Sequence, residues 1–294
     1  VIFLIFGDTF NNLRVMKTIL VPFDFSKYAL AALQTAKKIA AKADAQLICV
    51  TVIPSEIDWD LLPEKARAGY PQLTLEMEEA RSRIPEYLKM VASAKVQVEV
   101  LVKIGVPAEQ ILRVITKYNV DFVVLGVHGK DFSESKLIGS TLQKVLRNTS
   151  CPVLAVKKAL DGNAFRKLAF ASMFDANAKK AFATLIPFVK LFAASLHLVY
   201  VNTPEHFLSS TEAERSMKAF SKGNEELTFH LQVINDRNIV EGIRSFCVSK
   251  RIALVALASG DKKGRTSYQV GITETLIYTS DQAVLSIKAT DSKS

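Results

Sequence analysis

The chain has 294 residues, of which 49% are hydrophobic and 23% charged, with a formal net charge of +9. That length accommodates one large domain or two ordinary ones, and the apolar share excludes a disordered chain. The charge invites a nucleic-acid reading. Lys and Arg are however interspersed with Asp and Glu, and no basic block or recognition motif occurs, so a solvated basic surface favouring anionic ligands is the simpler reading.

The first residues, "VIFLIF", are far short of the ~20 apolar residues of a membrane helix. They also lack the charged start and small-residue cleavage site of a secretory signal. Met16 stands just before the first strand-like run, so residues 1–15 are expected to be an extension outside the fold. No stretch has the length and apolarity of a membrane span. Cys49, Cys151 and Cys247 sit in or beside apolar runs without a CxxC pair. A cytoplasmic protein with buried thiols is expected.

"TILVPF" (Thr18–Phe23) reads as a strand ending at Asp24, and Ser26 is placed to cap the helix that follows. In that helix Ala29, Ala32, Leu33, Ala36, Ile39 and Ala40 recur at helical spacing. "QLICVTVI" (Gln46–Ile53) is nearly continuous apolar sequence, as in a strand covered on both faces. A polar, proline-marked region over about 54–72 holds Trp59, and a charged helix is predicted over about 74–92. "KVQVEVLVKIG" (Lys95–Gly105) alternates with period two, and Pro107 opens a helix with Ile111, Val114 and Ile115 on one stripe. "DFVVLG" (Asp121–Gly126) is a short buried strand. A helix from about Ser140 to Asn148 and a strand, "PVLAVK", follow. Strands alternating with helices predict a parallel sheet covered by helices.

"KALDGNAFRK" (Lys158–Lys167) reads as a linker, after which the pattern returns. "KLAFASMFD" answers the first strand, "LHLVYVN" the second, "FHLQVI" the third, "IALVALASG" the fourth and "AVLSIK" the fifth. The spacing predicts a tandem duplication with a period of roughly 135 residues. The expected division is 16–158, a linker at 159–166, and 167–290.

In an open parallel sheet, ligands sit beyond the carboxyl ends of the strands, where neighbouring strands wind away in opposite directions. Asp24 and the stretch "GVHGKDFSESKLIGST" (Gly126–Thr141) both belong at that edge. Gly126 and Gly129 would permit positive φ and close approach of a ligand to the backbone. Gly139-Ser140-Thr141 opens a helix whose first N–H groups suit an anion. The same glycines could mark an ordinary loop tip, and Asp24 could merely turn the chain. The phosphate loop GxxxxGK[ST] is absent. So is GxGxxG after the first strand, where Pro22-Phe23-Asp24 stands.

Gly126-x2-Gly129-x9-Gly139-Ser140 resembles the G-2x-G-9x-G[ST] signature of the nucleotide-binding branch of the universal stress protein family. "TILVPFDFS" is similar to that family's opening strand and aspartate, and "PVLAVK" after "RNTSC" to its closing strand. The resemblance implies a tandem pair of Rossmann-like (adenine nucleotide α-hydrolase-like) domains. Each would be a five-stranded parallel sheet of order 3-2-1-4-5 flanked by helices. It implies a nucleotide-responsive stress-response role, ATP with Mg2+ at the switch point, and pairing of the two domains through the fifth strands. By the same resemblance, Asp24 contacts the ribose or adenine side and the Val52 backbone meets adenine. Gly126 and Gly129 pass near ribose and phosphates, while Gly139, Ser140 and Thr141 hold the phosphates.

The second half departs from the signature. Gly260 and Gly271 match Gly129 and Gly139 with ten intervening residues instead of nine. Leu257 stands for Gly126, Ile272 for the serine, and Asp175 for Asp24 only after a shift of one residue. A degenerate second site is expected, so that this half serves as a built-in partner. No nucleophile–base–orienter set is visible, and slow hydrolysis is the most the resemblance permits. Two alternatives are an adenine-nucleotide hydrolase or ligase of the same fold, whose SGGxDS-type loop "VPFDFS" lacks, and a scaffold that binds no nucleotide. Glu76, Glu78, Glu79 and Glu86 read with Arg81 and Arg83 as a solvated helix face. His128 reads as a loop residue, Lys130 equally as a solvated lysine or one that steers phosphate charge, and Ser133 and Ser135 equally as soluble loop residues or regulatory phosphate acceptors. His197, His206 and His230 have no partners at metal-ligand spacing.

Overall fold

The computed structural model describes residues 16–90, 95–129, 139–259 and 267–288. The expected extension 1–15, together with Lys130, Ser133, Ser135 and Gly260, lies outside the described residues. The first half runs β1 (Thr18–Pro22), α1 (Lys27–Ala43), β2 (Gln46–Pro54), α2 (Glu64–Arg67), α3 (Pro71–Met90) and β3 (Val98–Gly105). It continues with α4 (Pro107–Lys117), β4 (Phe122–Gly126), α5 (Ser140–Asn148) and β5 (Val153–Val156). The second half runs β6 (Lys167–Ala171), α6 (Ala176–Leu191), β7 (Ser195–Asn202), α7 (Ser210–Ser221) and β8 (Phe229–Asn235). It ends with α8 (Ile239–Ser249), β9 (Leu254–Ser259), α9 (Ser267–Thr279) and β10 (Ala283–Lys288).

The strands form one ten-stranded sheet in the order β3-β2-β1-β4-β5-β10-β9-β6-β7-β8. Each half therefore has the order 3-2-1-4-5 that the family resemblance implies. Pairing is parallel within each half and antiparallel where β5 meets β10. The central strands are continuously apolar because both faces are covered. Ile19 and Val21 face a core built with α1, α3, α6 and α7, whereas Leu20 faces one built with α4, α5, α8 and α9. This period-two division of one strand between two helical layers is what a both-faces-buried sheet requires.

Local chemistry fixes the helix starts. The Ser26 hydroxyl accepts a hydrogen bond from Ala29 N–H at the head of α1, as its position predicted. Pro107 occupies the first turn of α4. Ser209 and Glu212 form a reciprocal capping box on α7.

The connection over 159–166, read from the sequence as a linker, is packed. Leu160 and Phe165 are buried, Leu160 N–H donates to Thr35 Oγ1, and Lys38 Nζ donates to Leu160 O. The repeat also has no uniform period. The first half carries a longer connection between its second and third strands, 55–97 against 203–228 in the second half. It holds Trp59, α2 and α3, where the second half's connection holds α7.

Candidate functional site

Beyond the carboxyl ends of β1 and β4 lies a cavity of about 320 Å³. Its lining includes Asp24, Val52, Gly126, Gly129, Gly139, Ser140 and Thr141, so all seven residues singled out in the sequence come together. From β1 the chain proceeds to β2 on one side, and from β4 to β5 on the other. The cavity thus sits where strand direction of travel reverses, as expected of an open parallel sheet.

Asp24 is aimed by the residues around it. Its Oδ1 accepts the Ser26 N–H at 3.1 Å, turning the chain into α1. Phe25 has φ 65°, a left-handed conformation that is strained for a bulky side chain. Packing holds it there: Phe23 and Tyr87 meet its ring edge-on, and the Arg83 guanidinium lies 4.4 Å from its centroid. The Thr51 hydroxyl donates to Phe23 O at 2.8 Å and ties the end of β1 to β2. Turning the chain and facing the cavity are therefore both roles of Asp24.

The glycines work by space, not by unusual dihedral angles. Neither Gly126 nor Gly129 has positive φ, which corrects the sequence expectation. A Cβ on Gly126 would stand 2.7 Å from the backbone carbon of Tyr28, so this glycine lets β4 press against the start of α1. A Cβ on Gly129 would stand 2.7 Å from Asp24 Oδ2, so this glycine keeps the carboxylate where it is.

At the other wall, Gly139 is the N-cap of α5 and, among the described residues, no side chain caps that helix. Its first backbone N–H groups and the positive end of its dipole lie with the Ser140 and Thr141 hydroxyls beside the cavity. Val50, Ile53, Pro54, Pro107 and Ile111 supply an apolar wall. An apolar wall facing a run of amides, hydroxyls and one carboxylate can hold a flat ring at one end and an anion at the other. The cradle thus fits a nucleotide phosphate chain at the head of α5.

Sequence reasoning missed several lining residues. Glu76, read as part of a solvated face, reaches the cavity from α3, while Glu79 does pair with Arg83 on the helix surface. His128, read as a loop residue, is buried and lines the cavity with its ring edge-on to Tyr28. Burial, and secondarily the charge of Lys157, pull its pKa below the ordinary histidine range. Only the fold brings Phe25, Pro107 and Ile111 to one place; no local pattern marked them.

A profile of the universal stress protein family matches residues 16–157. The chain is 31% identical over 156 residues to Universal stress protein MJ0531 of Methanocaldococcus jannaschii, an alignment spanning 86% of that protein and 50% of this one. The chain belongs to the universal stress protein family. It is also 30% identical over 148 residues to Universal stress protein Sll1388 of Synechocystis, covering 96% of that relative and 47% of this chain. The crystal structure of a universal stress protein from Archaeoglobus fulgidus superposes with a TM-score of 0.74 at 19% identity. It covers 94% of this chain and 99% of that one, so its fold runs through both halves. A structure of PA1789 from Pseudomonas aeruginosa, described as functionally unknown, shares the fold with a TM-score of 0.61.

Strand register and helix burial place the second half's counterparts and correct four sequence matches, those of Asp175, Leu257, Gly271 and Ile272. Phe174, with φ 55°, answers Phe25, and Asp175 then caps α6 as Ser26 caps α1. Met173, not Asp175, therefore stands where Asp24 does. The pairing of β6 with β9 puts Ala258, not Leu257, at the position of Gly126. In α9 the buried residues Thr273, Leu276 and Ile277 answer Leu142, Val145 and Leu146 of α5. Gly271 and Ile272 then stand where Ser140 and Thr141 do. Helix α9 begins at Ser267, before that point, so the amides there lie inside the helix instead of at its open end.

Proposed function

We propose that this universal stress protein binds ATP, accompanied by Mg2+, in the crevice of its first half, and that occupancy of that site alters its shape or its partners. The observation that carries this reading is the cavity at the switch point, in which Asp24, Val52, Gly126, Gly129, Gly139, Ser140 and Thr141 meet beside the uncapped start of α5. Its volume of about 320 Å³ is within the usual range for small-molecule sites. In this reading Asp24 accepts hydrogen bonds from the ribose hydroxyls, and the adenine lies against the apolar wall near Val52. The α5 amides with Ser140 and Thr141 bind the phosphates. Mg2+ would offset phosphate charge while keeping most of its own water ligands.

The same proposal divides the chain into two tandem domains, 16–158 and 167–290, with the second a built-in partner joined through β10 to β5. Met173, Ala258 and Ile272 leave its crevice without the groups that hold a nucleotide, so one ATP per chain is expected. The test is calorimetric titration of nucleotide-stripped protein with ATP, with and without Mg2+, alongside mass spectrometry of small molecules released on denaturation. Saturable binding near one site per chain, abolished in Gly139→Val, is the expected result. The absence of heat with every adenine nucleotide would overturn the proposal.

A further inference from the structure

The phosphate end of the proposed crevice is the first turn of α5, a helix of nine residues. Within its own half α5 is held by Leu142, Val145 and Leu146, all buried. Its polar side is held from the other half. The Glu274 carboxylate of α9 accepts from Gln143 Nε2 at 3.2 Å, from Arg147 Nε at 3.0 Å and from Arg147 Nη2 at 3.2 Å. Gln143 lies in the turn that carries Ser140 and Thr141, and its N–H donates to Gly139 O at 3.0 Å. A single carboxylate thus ties the first two turns of α5 to each other and to the second half.

We infer that Glu274 is a positioning residue for the phosphate end of the first-half site, an inference that rests on the nucleotide reading above. The contact is not a loose surface pair. The Glu274 side chain is 18% exposed, and Arg147 engages it with two N–H groups, the geometry in which such a pair is strongest. It is also one-sided. Matching the buried residues of the two helices makes Glu274 the counterpart of Gln143, and Tyr278 that of Arg147. Lys157 and Lys288, counterparts too, each bond the opposite helix, so that contact runs in both directions. The mirror image of the Glu274 contact would need a carboxylate at 143, where the chain has glutamine. Two copies of the first half could not reproduce it. The second half therefore brings to the first-half site a group that the first half lacks.

Backbone N–H groups bind an anion only where the helix end points, and such bonds weaken steeply once misaligned. An apolar wall against a flat ring is non-directional and tolerates small shifts. Loosening α5 should therefore cost a ligand its phosphate contacts and spare its base contacts. Charge acts with the opposite sign. A carboxylate near the phosphates repels them, so by Coulomb's law alone its removal would favour ATP. As a tether and as a charge, Glu274 thus predicts changes in opposite directions.

The test is calorimetric titration of nucleotide-stripped, full-length protein with ATP plus Mg2+ and with adenosine, together with amide hydrogen exchange over residues 140–146 without ligand. Glu274→Ala should weaken ATP binding roughly fivefold to tenfold and adenosine binding less than about twofold. Glu274→Gln keeps an oxygen for Gln143 and Arg147 without the charge, and should recover most of the ATP affinity. Exchange in α5 should be roughly fivefold to tenfold faster in Glu274→Ala than in the wild type. A merely structural contact would lower the urea midpoint without moving the ratio of ATP to adenosine affinity. An unchanged ratio, ATP binding that tightens in both variants, or unchanged exchange would each overturn the inference. A wild-type chain that takes up no ATP would instead overturn the nucleotide reading, and the inference falls with it.

Discussion

Gly126 and Gly129 belong to one sequence signature yet answer to different physical demands. A methyl group at 126 meets the Tyr28 backbone, which cannot yield without moving the start of α1. Gly126→Ala should therefore destabilise the fold by about 1–3 kcal/mol, read as a lower urea midpoint. A methyl group at 129 meets only Asp24 Oδ2, the end of a side chain. Gly129→Ala should leave the urea midpoint nearly unchanged while weakening nucleotide binding roughly tenfold or more, because it displaces the carboxylate. Equal effects of the two changes on stability would refute the distinction. His197 makes a separate residue-scale prediction. It is buried beneath His230, whose ring stacks at 4.5 Å, and Phe246. Burial first, then the charges of His230, Lys167 and Lys250, pull its pKa from 6.5 to about 4. The unfolded chain takes up this proton first, so the stabilisation is complete above about pH 6.5 and declines as pH falls toward 4. On going from pH 7.5 to 5, the native protein should lose on the order of 1–2 kcal/mol more than His197→Leu, measured by urea unfolding at both pH values.

Lysines at the ends of β5 and β10 each cap a helix of the other half, α9 and α5 respectively. Lys157, just after β5, donates from Nζ to Tyr278 O at 2.6 Å and Ser280 O at 2.7 Å, at the carboxyl end of α9. Lys288, at the end of β10, donates to Arg147 O at 2.7 Å, near the carboxyl end of α5. Arg147 also forms a salt bridge with Glu274 at 2.9 Å. A cation at a helix carboxyl end satisfies carbonyls that have no partner within the helix and meets the negative end of the dipole. Lys157→Met should cost about 1–2 kcal/mol by chemical denaturation. The elements themselves were legible in the sequence because each carries a local signal: Ser26 before α1, Pro107 in α4, the continuous apolar runs of β2 and β4. The companions of Asp24 in the cavity were legible only where a glycine or hydroxyl pattern, or for Val52 the family resemblance, marked them. Phe25, Ile111 and Glu76 arrive from separate elements, and no local periodicity records which cavity an element will border. The polar, glycine-containing composition of residues 158–167 reads as a linker, and it carries no sign that Leu160 and Phe165 are buried by partners distant in sequence.

At the scale of the molecule, the junction of the halves has the register of a twofold contact. Leu154 pairs with its counterpart Leu285, while Ala155 faces Val284 and Val153 faces Ser286. The central pair joins equivalent residues and the flanking pairs are exchanged, which is the register of an isologous contact. Removing the second half would bare the N–H and C=O groups along β5, whose four residues are all buried in the intact chain. An apolar unpaired edge of this kind recruits another strand. A chain ending at Lys158 should therefore pair with a second copy through β5, giving twice the monomer mass by sedimentation equilibrium. The dimer should be weaker than the covalent arrangement for a stated reason. Phe122 of β4 is covered in the intact chain by Phe188 of α6, stacked at 5.6 Å. Ile39 of α1 holds the place in the first half that Phe188 holds in the second. Against a second copy, Phe122 would meet this smaller side chain and leave a gap of part of a ring. Ile39→Phe should fill that gap and tighten self-association of the shortened chain roughly tenfold, while leaving the full-length chain's mass unchanged. A shortened chain that stays monomeric at about 100 µM would show that β5 pairs with β10 through sequence complementarity particular to the second half, not through the shared edge geometry.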